Sequence, residues 1–221
     1  MFQTSLFIDR RDAGVRLAAP IAALTLEDPV VLALPRGGVP VGFEIARRIA
    51  APLDVLVVRK LGVPGHEELA MGAIASGGAR VINQEVVRPL QIGPEVIERV
   101  AAREQRELER RERLFRGDRP PAPVRGRSVI LVDDGLATGA TMRAAVESLR
   151  EREPFEIIAA IPVGAGSSCV TLSRIVDRLL CLEQPEPFYG VGLWYQDFEQ
   201  TSDEEVRTLL DFNREDAHAH A

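Results

Sequence analysis

Val129-Ile130-Leu131-Val132-Asp133-Asp134-Gly135-Leu136-Ala137-Thr138-Gly139-Ala140-Thr141-Met142 is the stretch on which the reading of this chain turns. Its first four residues are an uninterrupted apolar run, which suits a strand buried on both faces of a parallel sheet. Two adjacent carboxylates stand at the carboxyl end of that strand, followed by a small-residue turn with two threonines. A helical pattern then runs over about 141–152. The free amides of such a turn and the positive end of the helix attract an anion, and Thr138 and Thr141 can add hydroxyl donors. Ala137, Thr138, Gly139, Ala140 and Thr141 are therefore the candidate phosphate cradle. Asp133 and Asp134 would repel a phosphate, so they are expected to face sugar hydroxyls or a cation.

Two familiar glycine loops are excluded. A Walker A loop needs a second Gly followed by Lys, and Ala140 stands where that glycine should be. The dinucleotide fingerprint G-x-G-x-x-G is absent as well, since Gly135 and Gly139 are separated by three residues.

Upstream, an apolar strand at 30–34 ends in Pro35-Arg36-Gly37-Gly38-Val39-Pro40, and Pro40 suits the first turn of a following helix. Two consecutive glycines let backbone amides approach a ligand closely, and Arg36 offers a fork of donors for phosphate oxygens. Taken alone, this is also an ordinary strand–helix turn with a solvated arginine. A further apolar strand over 53–58 delivers Arg59 and Lys60 at its carboxyl end, where ligands of open α/β sheets bind. Residues 61–68, with Gly62, Pro64, Gly65 and His66, have a mobile-loop composition, and a hairpin is expected around Gly77-Gly78. His66 reads first as a loop histidine, and His66-Glu67-Glu68 lacks the second His of a zinc-protease helix.

Residues 7–24 read as a loop and an amphipathic helix capped by Asp9 or Asp12. Residues 94–116 predict a long charged helix with an apolar stripe at Ile97, Ala101, Leu108 and Phe115. Its arginines could face RNA, but acids interleave with them and aromatics are scarce, which favours a solvated helix packed over the core. Glu95–Arg99, Glu107–Arg111 and Glu109–Arg113 have the spacing to support it. A Pro-rich linker over 116–127 leads back to the central strand. Two more strands, 156–162 and 178–182, flank Gly164-Ala165-Gly166-Ser167-Ser168, which does not form a G-x-S-x-G elbow. Near the C-terminus, 188–198 concentrates both tyrosines and the one tryptophan beside glycines. Aromatics placed so can stack on a planar base, or simply cap the core. A closing helix is expected over 203–213 and a frayed tail over 214–221, with no role for His218 or His220.

The 221 residues suffice for one sizeable core, and no apolar run reaches membrane-spanning length. Cys169 and Cys181 are too few for a disulfide framework, so a reducing cytoplasm is the expected compartment. A net charge of -6 argues against a general nucleic-acid binder, so a polyanionic ligand needs local cations or a metal. Of 27 basic residues only Lys60 is lysine, so arginine positions carry little information by type.

The apolar strand, the paired acids and the Thr-Gly-x-Thr turn together resemble the signature of the type I phosphoribosyltransferases. That family binds phosphoribosyl pyrophosphate (PRPP) and transfers its ribose 5-phosphate to a nucleobase or another nucleophile. The resemblance extends over most of the chain and implies an α/β fold: a doubly wound, mostly parallel five-stranded sheet flanked by helices. It also implies one domain over 1–221, with a flexible loop and helical lid at 61–120 and a small hood at 183–213. In roles implied by the resemblance, 137–141 hold the 5-phosphate, and Arg36, Gly37, Gly38, Arg59 and Lys60 hold pyrophosphate. The 35–38 loop often carries a cis peptide in the family, for which the Arg36–Gly37 bond is the expected place. Asp133, Asp134, Lys60 and Arg36 are the catalytic set. Tyr189, Gly190 and Val191 match the aromatic–Val-Gly segment that binds the base in purine-type members. Mg²⁺ is expected to arrive with PRPP, reaching Asp133 and Asp134 through water at most, and a homodimer is an expectation of the resemblance alone. Two other readings share the cradle: a non-catalytic PRPP-sensing regulator and a hydrolase of a ribosyl phosphate.

Overall fold

The structure, a computed structural model, describes residues 6–219. Five strands form one all-parallel sheet in the order β2-β1-β6-β7-β8: β1 is Val30–Ala33, β2 Leu53–Val55, β6 Ser128–Val132, β7 Glu156–Val163 and β8 Arg178–Glu183. The apolar runs at 30–34 and 129–132 are continuous because both faces of these strands are covered. Alternate residues sort to the two sides. Val31, Ala33, Ile130 and Val132 pack toward α1 (Arg10–Ala22), α2 (Gly38–Ile49) and α7 (Asp203–Ala219). Val30, Leu32, Val129 and Leu131 pack toward α5 (Ala140–Arg150) and α6 (Gly166–Leu172). Burying each of these valine, leucine and isoleucine side chains stabilises the fold by roughly 1.5–3 kcal/mol. The doubly wound sheet is thus built as its alternating faces require.

The expected strand at 53–58 divides in two. Leu56 N–H still donates to Ala33 O in the parallel sheet, but Val57 N–H donates to Ser76 Oγ at 2.9 Å, and Ser76 N–H donates to Val57 O. The chain is thereby handed to a second, antiparallel sheet of β3 (Val58–Val63), β4 (His66–Ala75) and β5 (Arg80–Ile82). Arg59 and Lys60 therefore lie on β3 and not at the tip of a parallel strand. The mobile loop expected at 61–68 is the end of a hairpin turning at Pro64-Gly65, because Leu61 and Val63 are buried and pair against β4. The hairpin around Gly77-Gly78 joins β4 to β5 as expected, and a short helix α3 (Gln84–Val87) follows.

Helix α4 (Pro94–Arg116) buries its predicted stripe of Ile97, Ala101, Leu108 and Phe115 against β3, β4 and the main core. Of its expected ion pairs, Glu107–Arg111 forms at 3.0 Å; Glu107 also holds Arg110, and Glu109 instead accepts from Gln105. Arg116, 5% exposed, fastens the end of α4 to the main sheet by bonding Asp54 Oδ1, Glu112 and Val55 O.

The segment before α1 meets the aromatic stretch at 188–198. Phe7 pairs in parallel with Tyr195, and Phe7, Trp194 and Tyr195 form a small aromatic core with Phe188 and Phe198 around it. The closing helix does not fray at Arg214 but continues to Ala219. Val206, Leu209 and Leu210 anchor it, and buried Asn213 bonds Leu53 N and Ala51 O. Extending an anchored helix adds one hydrogen bond per residue. His220 lies outside the described residues. Cys169 and Cys181 are free thiols whose sulfurs stand 3.6 Å apart, brought together by α6 folding back on β8. No helix among the described residues is long and apolar enough to cross a membrane.

Candidate ligand site at the strand tips

Strand order places the site. From β1 the chain moves outward to β2, and from β6 it moves the other way to β7, so the loops leaving β1 and β6 diverge. A crevice opens at such a switch point beyond the carboxyl ends of the strands. The β1–α2 loop (35–37) and the β6–α5 loop (133–139) line it.

The β6–α5 loop is anchored at its middle, through Leu136 and Ala137. Leu136 N–H donates to Val163 O and Ala165 N–H to Leu136 O, while Ser168 Oγ–H donates to Ala137 O. Beyond these anchors Thr138 and Thr141 are exposed, as is the Ala137 side chain. Gly139, at φ +70°, caps α5 in a left-handed conformation that suits glycine, so the chain can turn abruptly into the helix. Thr138 Oγ lies 3.5 Å from Ala140 N. The outcome is an open turn at a helix N-terminus with two hydroxyls, the form anticipated from the sequence.

Asp133 and Asp134 lie just below it. Burial pushes the Asp133 carboxyl well above the usual carboxylate range, and the neighbouring Asp134 charge adds to this. Burial also raises Asp134, but there Arg10 opposes it. Arg10 Nε donates to Asp134 Oδ2 at 2.8 Å, and its Nη1 donates to Glu199 O at 2.7 Å. The guanidinium also stacks 3.8 Å from the centre of the Phe198 ring. Tyr195 Oη–H donates to the Asp134 carbonyl at 2.6 Å, and burial pushes that phenol up.

Gly37 faces Asp134 across the crevice, and a Cβ there would overlap the carboxylate, so only glycine lets the two loops approach so closely. The loop does carry a cis peptide, at Pro35–Arg36 and not at the expected Arg36–Gly37 bond. Arg36 Nη1 stands 3.5 Å from Asp203 Oδ1, at the start of α7.

The remaining candidates are placed unevenly. Lys60 shares a groove of about 710 Å³ with Ala140, Arg143 and Asn83, beside the start of α5. Arg59 is instead drawn to Glu104 of α4, at 2.6 Å. Tyr189 is 76% exposed, so it does not cap the core; Trp194, buried, does that. Val191 packs its side chain directly against Gly135, touching the central loop, and Gly190 precedes it in extended backbone. No group of three or more metal-ligating side chains occurs among the described residues.

Arg10, Tyr195 and Ser168 are not picked out by sequence reasoning. Arg10 carries no signal among so many arginines. Tyr195 lies within the aromatic stretch, but only the fold shows its hydroxyl reaching Asp134.

Comparison with known proteins agrees with this geometry. A family model described as the phosphoribosyl transferase domain matches residues 8–193. Two Mycobacterium tuberculosis proteins, from strains CDC 1551 and H37Rv, are assigned by name to the phosphoribosyl transferases. Each is 46% identical over 206 residues, covering 93% of this chain and 46% of its own length. The chain thus spans about half the length of the curated relatives it matches. The crystal structure of TT1426 from Thermus thermophilus is 43% identical with a TM-score of 0.85, covering 92% of this chain and 97% of that one. With the paired acids, the Thr-Gly turn and the diverging loops in place, the chain belongs to the phosphoribosyl transferase domain family.

Proposed function

We propose that this domain is a pentosyltransferase that moves ribose 5-phosphate from PRPP to a nitrogenous, nucleobase-like acceptor and releases pyrophosphate. The observation that carries this reading is the open 138–141 turn set beside two half-buried carboxylates at the β1/β6 switch point. A sugar with phosphates at opposite ends suits that arrangement, because anion donors flank the acids on two loops.

In this reading, 137–141 grip the 5-phosphate through main-chain amides and the threonine hydroxyls. That grip lies away from the reacting bond, so its binding energy serves turnover as well as affinity. As the C1–O bond lengthens, positive charge grows on the ribose and negative charge on pyrophosphate. Asp133 and Asp134 offset the first and bind the ribose hydroxyls, and one of them can accept the acceptor's proton. Arg36, the amide of Gly37 and Lys60 meet the second; the Gly38 amide, which donates to Leu34 O at 3.1 Å, joins them only by leaving it. Arg59 contributes only if it leaves Glu104.

Oxygen donors such as these carboxylates suit a hard cation. Mg²⁺ carried by PRPP would be held by Asp133 through water, and it would neutralise charge on the departing diphosphate. Asp134, already paired with Arg10, fits that task less well. Tyr189 and Gly190 are assigned to the acceptor, with Val191 setting the floor beside Gly135, an arrangement like that of purine-salvage members. A cytoplasmic setting accords with the free thiols, and homodimerisation is carried over from the family.

Incubation with PRPP, Mg²⁺ and a panel of bases, following pyrophosphate, tests the reading. Acceptor-dependent release supports it. Acceptor-independent release makes the domain a hydrolase, and tight binding without turnover makes it a sensor.

A further inference from the structure

Four guanidiniums from three elements line one cavity of about 460 Å³: Arg10 of α1, Arg36 of the β1–α2 loop, and Arg110 and Arg111 of α4. Asp203 is the one acidic residue in its lining, and Pro35, Leu114 and Phe115 form an apolar wall. The pairing of these cations is incomplete. Arg110 and Arg111 share a single carboxylate, Glu107, at 2.8 and 3.0 Å, and they hold its pKa down to about 2. Arg36 reaches Asp203 only at 3.5 Å, and Arg10 is committed to Asp134.

Gathering four like charges around one small space is unfavourable unless an anion enters it. Guanidinium forks match phosphate oxygens in pairs, so a phosphoanion is better suited to this lining than a lone carboxylate. The cavity opens onto Arg36 and Gly37, so its occupant adjoins the ribose-facing acids. Arg110 and Arg111 keep 62% and 40% of their side chains exposed, so the packing of α4 rests on Ile97, Leu108 and Phe115 and not on them.

We propose that this cavity holds a diphosphate group and that Arg110 and Arg111 of α4 are ligands to it, alongside Arg36. The proposal rests on the reading of the Arg36–Gly38 loop as the diphosphate end of the donor site. It extends that site to a helix with no assigned role, so that α4 and the β1–α2 loop grip the leaving group from two sides. The diphosphate is either the donor's own or free pyrophosphate, and the two are separable.

Calorimetric titration of the full chain with inorganic pyrophosphate, PRPP and ribose 5-phosphate, each with Mg²⁺, provides the test. The test variant is Arg110→Gln/Arg111→Gln. The control, Arg99→Gln/Arg106→Gln, removes the same charge from exposed positions of the same helix outside the cavity. Arg110→Lys/Arg111→Lys keeps the charge and the helix but loses the forks, so it serves if the first variant does not fold.

The expected result is a loss of pyrophosphate affinity of about tenfold or more in the test variant, an intermediate loss in the lysine variant, and no change in the control or for ribose 5-phosphate. A parallel loss for PRPP identifies the occupant as the donor's diphosphate; unchanged PRPP affinity identifies free pyrophosphate and removes the link to the donor. Equal pyrophosphate affinity in wild type and test variant, no pyrophosphate binding by wild type, or an equal loss in the control overturns the proposal. Should wild type bind pyrophosphate but neither PRPP nor ribose 5-phosphate, the proposed transferase reaction fails while the cavity assignment stands.

Discussion

Arg10 Nε and Asp134 Oδ2 lie 2.8 Å apart, with the two side chains only 12% and 16% exposed. The same guanidinium bonds Glu199 O and stacks on Phe198, so one side chain ties a buried carboxylate of the site to the hood. Arg10 thus joins α1 to both the β6–α5 loop and the 198–199 segment.

Replacing Arg10 with Met should leave Asp134 buried without its counter-charge. Burial already raises this carboxyl and Arg10 opposes that rise, so the variant's Asp134 should titrate at higher pH than in the wild type. The acidic limb of the turnover–pH profile should move upward accordingly. Breaking a buried pair from one side also costs about 3 kcal/mol, measurable by urea denaturation. An unmoved acidic limb would show that Arg10 does not govern Asp134.

Asp133→Asn should lower turnover by orders of magnitude and yet stabilise the fold at neutral pH. The folded-state pKa of Asp133 is raised, chiefly by burial, so the folded protein binds more protons than the unfolded chain above the ordinary Asp value. Stability contributed by the protonated carboxyl is therefore complete below about pH 4 and is lost as pH rises through the folded-state pKa. Asparagine does not incur that loss. Thermal melts should favour the variant at pH 7, by roughly 2–4 °C for each kcal/mol gained, and the difference should vanish below about pH 4. A variant less stable at pH 7 contradicts the unfavourable burial of this acid.

Thr138→Val removes a hydroxyl from the open turn while keeping its shape. Affinity for ribose 5-phosphate should fall by about tenfold, the worth of one hydrogen bond to a charged group, with melting temperature unchanged because Thr138 is exposed. Equal affinity by calorimetry would take the hydroxyl out of the cradle.

Arg116→Met tests the attachment of α4. It leaves Asp54 and Glu112 without their shared cation, although Asp54 keeps the Ala122 amide. The expected cost is about 3–5 kcal/mol, read from denaturant unfolding. A loss below about 1 kcal/mol would mean that Arg116 does not fasten the helix.

The parallel sheet and the central loop are legible in the sequence because their causes are local. An apolar run of four or five residues, two acids and a Thr-Gly-x-Thr turn define strand, site and helix start without help from distant residues. The stretch at 53–63 misleads because its apolar run is continuous across two sheets. What divides it is Ser76, nineteen residues on from Val57, whose hydroxyl accepts the Val57 amide. Periodicity cannot show such an exchange. The pairings of Arg10 with Asp134 and Arg59 with Glu104 are hidden for a related reason: each joins residues far apart in sequence, in a chain where nearly every cation is arginine. The closing helix runs past its expected end because Asn213 bonds the start of β2, a contact that only the tertiary fold creates.

A crystal structure of the protein with PRPP and Mg²⁺ tests the central claim most directly. The account predicts the 5-phosphate within hydrogen-bonding distance of the amides and hydroxyls of the 138–141 turn, with the ribose hydroxyls at Asp133 or Asp134. Bound PRPP that left this turn empty, or that lay away from both carboxylates, would contradict it.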